Sequence, residues 1–251
     1  MAVVASKSQL LLLCLLSIGI ALASAATLFT LQNQCSYTVW PGTITGNGPP
    51  LGGGGFALTP GGSVLVEAPV GWSGRFWGRT GCSFDASGVG TCVTGDCPGG
   101  LKCTGGGATP TTLVEFTVAA PNVDGKDFYD VSLVDGYNLP VEVVVTGPSR
   151  TGDCNNTDCR ADINAICPPE LRVTDNSSQV VACKSACEQF KEPKYCCTGD
   201  FSKPETCPPT DYSKIFKQAC PKAYSYAYDD ATSTFTCTGA DYQITFCPAN
   251  S

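Results

Sequence analysis

Cysteine constrains this chain more than any other residue. The 251 residues hold 17 cysteines and no histidine. One of them, Cys14, falls in an export signal: Lys7 supplies a positive start, Leu10 to Ile20 is an apolar run, and Ala23-Ser24-Ala25 is a cleavage site. That run is shorter than the ~18 residues a membrane-spanning helix needs, so residues 1–25 are expected to be removed and the rest exported. Sixteen cysteines then remain. An even, dense set in an exported chain is a disulfide framework, so cross-links rather than a large core alone should hold the fold. Without histidine, Ser-His-Asp and Cys-His nucleophiles and histidine-containing zinc sites are excluded. With the thiols oxidised, carboxylates are left for acid–base chemistry.

Charge narrows the partners. Removing Lys7 leaves 14 basic against 22 acidic residues, a net charge of −8, which argues against nucleic acid or an anionic membrane as partner. The chain stops soon after Cys247 and Pro248, where no lipid-anchor tail is expected. No EF-hand or similar loop points to a cation, and no cofactor or metal is expected. Gly and Pro, 28 and 18 residues, lie between short apolar runs, a pattern of many strands, many turns and few helices.

Strands are read at 27–32, 35–42, 61–67, 74–80, 112–118, 141–146, 233–237 and 242–247. The Gly-rich run Pro49 to Gly55 reads as a flexible surface loop. Arg75, Trp77 and Arg79 share one strand face, where two cations flank an indole. In 112–118, Val114, Phe116 and Val118 point one way and Glu115 and Thr117 the other, as in one sheet packed on another. After Asp153 the composition changes: 11 of the 16 cysteines follow, and a helix is expected over 179–190, with Cys183 and Cys187 on one face and therefore bonded elsewhere. The adjacent Cys196 and Cys197 should likewise find separate partners. Thr210 reads as the N-cap of a second helix ending near Pro221. Asn155 and Asn176 begin glycosylation sequons.

Chemistry concentrates in Asp127 to Tyr137. A strand here puts Asp130 on the face opposite Val131 and Leu133, while Asp135 lies an odd number of residues on. Both acids can face one cleft only if the chain turns at Asp135-Gly136, and Asp-Gly is a turn signal.

A run from Gly88 to Cys103, containing Gly-Val-Gly-Thr-Cys-Val-Thr-Gly-Asp-Cys-Pro-Gly, resembles the thaumatin-family signature. Asn33 to Gly42 is similar to the N-terminus of the plant thaumatin-like, pathogenesis-related proteins, and Tyr224 to Asp230 to their C-terminal region. The resemblance implies a mainly β fold: a flattened β-sandwich (26–79, 111–160 and 221–251), a small disulfide-rich lobe (80–110) and a larger, partly helical one (161–220). It implies the bridges Cys35–Cys247, Cys82–Cys92, Cys97–Cys103, Cys154–Cys237, Cys159–Cys220, Cys167–Cys183, Cys187–Cys196 and Cys197–Cys207. It also implies a cleft lined by Arg75 (Arg79 being the lesser choice), Glu115, Asp130, Asp135 and Asp229, with Phe128, Tyr129, Tyr137 and Tyr228 as stacking candidates. The function implied is that of a secreted, apoplastic, monomeric antifungal protein that binds β-1,3-glucan or a related fungal wall polysaccharide, without stable membrane insertion. Weak endo-β-1,3-glucanase activity, with Glu115 as acid and Asp135 as nucleophile or base, is the alternative; enzyme inhibition and membrane perturbation are further ones.

Overall fold

The computed structural model describes residues 26–120, 125–148 and 150–249; the export signal expected over residues 1–25 lies outside them. Among these residues the strands are β1 (Thr27–Asn33), β2 (Trp40–Asn47), β3 (Ser63–Ala68), β4 (Ser73–Arg79), β5 (Ser83–Phe84), β6 (Gly90–Thr91) and β7 (Leu113–Thr117). They continue with β8 (Asp127–Ser132), β9 (Val141–Thr146), β10 (Thr157–Cys159), β11 (Arg172–Thr174), β12 (Val180–Cys183), β13 (Phe235–Cys237) and β14 (Asp241–Phe246). Two five-stranded sheets result, ordered β10-β9-β14-β1-β3 and β13-β8-β7-β4-β2. Period-two patterning explains how they meet. Phe29 and Leu31 in β1, Val141, Val143 and Val145 in β9, and Val114 and Phe116 in β7 are all buried, so each sheet turns one apolar face to the other. Aromatic rings fill the gap: Phe29, Phe76, Phe116 and Tyr242 pack with centroids 4.7–6.3 Å apart, edge-on or tilted except for the stacked Phe29–Tyr242 pair.

Each tail strand enters a sheet, β13 beside β8 and β14 parallel to β1. The β1–β14 register pairs Asn33 with Phe246, which delivers Cys35 to Cys247 just beyond the strand ends. That bridge forms, as do Cys82–Cys92, Cys97–Cys103, Cys154–Cys237, Cys159–Cys220, Cys167–Cys183, Cys187–Cys196 and Cys197–Cys207, the pairing the family resemblance implies.

Three local readings are corrected. The chain bends through 35–37, and its strand begins only at Trp40. The glycine run is no free loop: Leu51, Gly54 and Gly55 are buried. A side chain on Gly55 would sit 2.5 Å from the Arg79 guanidinium and 2.6 Å from the Leu101 carbonyl, so only glycine fits there. The third concerns 179–190, where Val180–Cys183 is a strand paired with β11, and the helix covers only Ala186–Phe190 behind a Ser185 cap. The β-branched pair Val180-Val181 favours the hairpin, and Cys183 and Cys187 therefore share no helix face. The second helix, Asp211–Ala219, starts on Thr210 through a capping box with Ser213. Both sequon asparagines are exposed, Asn176 at the tip of the β11–β12 hairpin.

At one end of the sandwich, buried Asp127 accepts from Tyr242 Oη at 2.7 Å and from the Ala119 amide at 2.8 Å. Tyr242→Phe strips one of those donors from a buried carboxyl. It is expected to cost roughly 1–3 kcal/mol in urea unfolding at neutral pH; a loss below about 0.5 kcal/mol would show that Asp127 does not depend on it.

Candidate functional site

The outer face of the second sheet carries a ladder of ionisable groups. Register places Arg75 of β4 opposite Glu115 of β7, and Glu115 opposite Asp130 of β8. Neighbouring strands lie about 4.8 Å apart, so these three side chains stand in a row across three strands. Asp135 reaches them through the expected turn: the Gly136 amide donates to the Leu133 carbonyl, and Gly136 takes φ +88°. A Cβ there would sit 2.4 Å from Pro110 and 2.7 Å from the Cys183 carbonyl, so glycine is required for the turn. Arg75 Nη1 then lies 3.8 Å from Glu115 Oε1 and 4.0 Å from Asp135 Oδ2. All three side chains are about two-fifths exposed. Ion pairs that long and that wet add little to stability, which leaves them free to rearrange around a ligand.

The far wall comes from a later segment. Tyr224 lies alongside the end of β8, its amide donating to the Val131 carbonyl and its own carbonyl accepting from Leu133. Its hydroxyl donates to Asp230 Oδ1 at 2.9 Å and also touches Thr234 Oγ1. Together these groups line a cavity of about 380 Å³ that includes Arg75, Glu115, Asp130, Asp135, Tyr224 and Asp230.

Electrostatics divides the acids. Like charges directly opposite on adjacent strands are unfavourable, and Asp130 is the more enclosed of the facing pair. Its Oδ1 is buried with no hydrogen-bond partner among the described residues. Burial first, then Glu115 and Asp230, push its carboxyl up to about 8. Glu115 is also raised by burial, with Arg75 working the other way and Asp135 adding to the rise. The trough therefore sets one enclosed acid that holds its proton beside further carboxyl groups and the Arg75 guanidinium, a set able to donate a proton and to accept hydroxyls at the same surface.

Several expected residues lie elsewhere. Asp229 does not line this cavity: Oδ2 accepts from the Ser225 amide at 3.0 Å and its hydroxyl at 2.8 Å, and pairs with Lys217 at 3.0 Å. The neighbouring Asp230 lines it instead. Tyr129, 1% exposed, faces the sandwich core and donates to the Asn155 carbonyl. Tyr137 is buried and donates to the Ala161 carbonyl. Phe128 is exposed on the same sheet face as Asp130 but, like Tyr228, is not part of the cavity wall. Arg79 is fully buried, with its guanidinium over Phe84 rather than over Trp77. Trp77 is buried too and donates to the Gly95 carbonyl. Sequence reasoning missed Tyr224 and Asp230; the one available signal was the adjacency of Asp229 and Asp230. Among the described residues, no group of three or more His, Cys, Asp or Glu side chains is placed to hold a metal ion.

Comparison with known proteins agrees with this architecture. The thaumatin family model matches residues 33–248. "Pathogenesis-related protein 5" of Arabidopsis thaliana is 62% identical, over 97% of this chain and 100% of its own. "Glucan endo-1,3-beta-glucosidase" of Prunus avium is 54% identical, over 90% and 92%. Among solved structures, a GH family 64 laminaripentaose-producing β-1,3-glucanase from Paenibacillus barengoltzii superposes with a TM-score of 0.57 at 13% identity, over 92% of this chain and 78% of that one, a likeness of fold alone. A family match across nearly all the described chain, joined to a relative of that identity over its full length, makes this protein a member of the thaumatin family, of its pathogenesis-related, thaumatin-like kind.

Proposed function

We propose that this is an exported plant-defence protein with antifungal action, whose acidic trough binds β-1,3-glucan. The observation that carries the reading is the Arg75–Glu115–Asp130 ladder, closed by Asp135 and Asp230. Ionised carboxylates accept sugar hydroxyls through strong charge-assisted bonds, protonated Asp130 can donate one, and Arg75 offsets the charge. Tyr224, partly exposed on the far wall, offers a ring face to a pyranose. At about 380 Å³ the cavity falls in the range of small-ligand sites, and an open trough admits a polymer that runs past its ends.

Slow endo-hydrolysis of the same polymer is a second reading, favoured by the proton on Asp130 and by the name of the Prunus avium relative. The pairing of roles shifts from the sequence expectation: Asp130 is better placed than Glu115 to hold the acid's proton. Glu115 and Asp135 each reach the same Arg75 nitrogen, so their near oxygens are no further apart than legs of 3.8 and 4.0 Å laid end to end. With Glu115 as acid and Asp135 as its partner, the roles the sequence suggests, that ceiling would span both the ~5–5.5 Å separation of retaining enzymes and the lower part of the ~6.5–9.5 Å range of inverting ones.

Calorimetry with laminarihexaose and reducing-sugar release from laminarin, run on wild type, Glu115→Gln and Asp135→Asn, test both readings. Each substitution is expected to weaken binding about tenfold, the effect of removing a charged hydrogen-bond partner, and to abolish any turnover. Unchanged affinity in both variants would remove the trough as the glucan site.

A further inference from the structure

A second cavity, of about 500 Å³, shares no wall residue with the acidic trough. Three separate parts of the chain meet there: the turn into β2 with Tyr37 and Trp40, the end of β4 with Thr80 and nearby Val93, and the β12 hairpin with Gln179 and Val181. Its character is the reverse of the trough's. Its one ionisable acid is Asp175, whose Oδ1 is already engaged by the Ser177 amide and hydroxyl and by the Gln179 amide at 2.7–2.9 Å. The remaining walls are aromatic, aliphatic, amide and hydroxyl.

The base of this groove is stiff, and it carries an unspent acceptor. Asn138 donates to the Gly78 carbonyl and Thr94 Oγ1, both at 2.8 Å, and accepts from the Thr112 amide. Asn164 Nδ2 donates to the Asn138 carbonyl at 3.2 Å, but Asn164 Oδ1 is buried with no partner among the described residues. A buried polar atom left this way is costly unless a donor arrives. Beside it Trp40 is held edge-on against Phe84, with centroids 6.4 Å apart, and Tyr37 is 45% exposed. Rigid aromatic faces next to uncharged hydrogen-bonding groups suit a ligand with apolar C–H faces and hydroxyl edges.

We infer that this groove is a neutral-oligosaccharide site independent of the acidic trough, with a pyranose ring on Trp40 and Tyr37 and a sugar hydroxyl donating to Asn164 Oδ1. The inference does not rest on the glucan reading of the trough. A chain with both sites would engage a wall polymer at two points, and linked sites gain apparent affinity without new contacts.

The test titrates the mature chain, and a Glu115→Gln/Asp135→Asn double variant that weakens the trough about a hundredfold, with laminari-, cello-, xylo- and chitohexaose, read by NMR. At least one hexasaccharide should bind the double variant and shift the Trp40 indole N–H and Asn164 amide signals. Trp40→Ala should weaken that binding about tenfold or more and Asn164→Ala about threefold. Val93→Arg, a change at an exposed position, should block it with the thermal midpoint unmoved, which keeps the test valid if Trp40→Ala folds poorly. The proposal fails if none of the four sugars moves those signals in either background, if all binding vanishes in the double variant, or if Val93→Arg abolishes a self-association instead.

Discussion

Arg79→Met is expected to destabilise the chain by about 3 kcal/mol, with the trough left in place. The Arg79 side chain has no exposed surface, and its donors are distributed over two parts of the fold. Nε donates to the Trp40 carbonyl at 2.9 Å, at the start of β2, while Nη1 and Nη2 donate to Gly100 and Leu101, each at 2.8 Å. One guanidinium thus ties the sheet edge to the disulfide-stapled loop. Burial lowers its pKa to about 10, with Asp96 opposing, so it stays charged at ordinary pH. Methionine fills similar space but leaves three carbonyls without their donor, at roughly 1 kcal/mol or more each. For a chain of this size that corresponds to a thermal midpoint lower by about 6–12 °C. Arg79→Lys should recover only part of the loss, because an ammonium cannot match the planar fork. A change below about 1 kcal/mol in Arg79→Met would mean the loop holds without it.

The second large effect belongs to Asp130. In the folded chain burial, with Glu115 and Asp230 adding to it, pushes its carboxyl from an ordinary 3.8 up to about 8. Between those limits the folded state binds a proton that the unfolded state has released, so this group's contribution to stability is complete at low pH and is lost as pH rises towards 8. Each unit of displacement is worth about 1.4 kcal/mol. Asp130→Asn keeps the neutral shape and removes the titration. Urea unfolding at pH 5 and pH 8 should therefore show wild type losing at least about 1.4 kcal/mol more than the variant across that interval. Laminarihexaose affinity at pH 5 should stay within about twofold, because the amide can still donate. Any hydrolysis should fall at least about 100-fold, because the amide has no proton to transfer. Parallel pH–stability profiles would show that Asp130 is ionised in the folded chain.

Much of this was legible in the residues, and the exceptions share a cause. Alternation in 112–118 identified Glu115 as the outward group between buried Val114 and Phe116, and Asp135-Gly136 announced the turn that brings Asp135 back to Arg75. Those are local rules, and they held. What was missed depends on which surface a neighbour covers. Arg75 and Arg79 share a strand face by periodicity, yet the loop at Gly100 and Leu101 closes over only one of them. Tyr129 and Tyr137 carry polar tips that suit a cleft, but each reaches a backbone carbonyl from inside the fold. Asp229 and Asp230 differ by a single step. Ser225, four residues before Asp229, and Lys217 on the second helix decide which of them turns away. Cysteine pairing came from family likeness rather than from spacing, since sixteen thiols admit far too many connectivities for a local argument to choose.

The most direct measurement is a crystal of residues 26–251 saturated with laminarihexaose. Consecutive glucosyl units are expected along the β4–β7–β8 face, with hydroxyls or a glycosidic oxygen in hydrogen-bond range of Glu115, Asp130 and Asp135. Sugar bound only outside that face, with Arg75 still paired to its two carboxylates as in the free chain, would contradict that expectation.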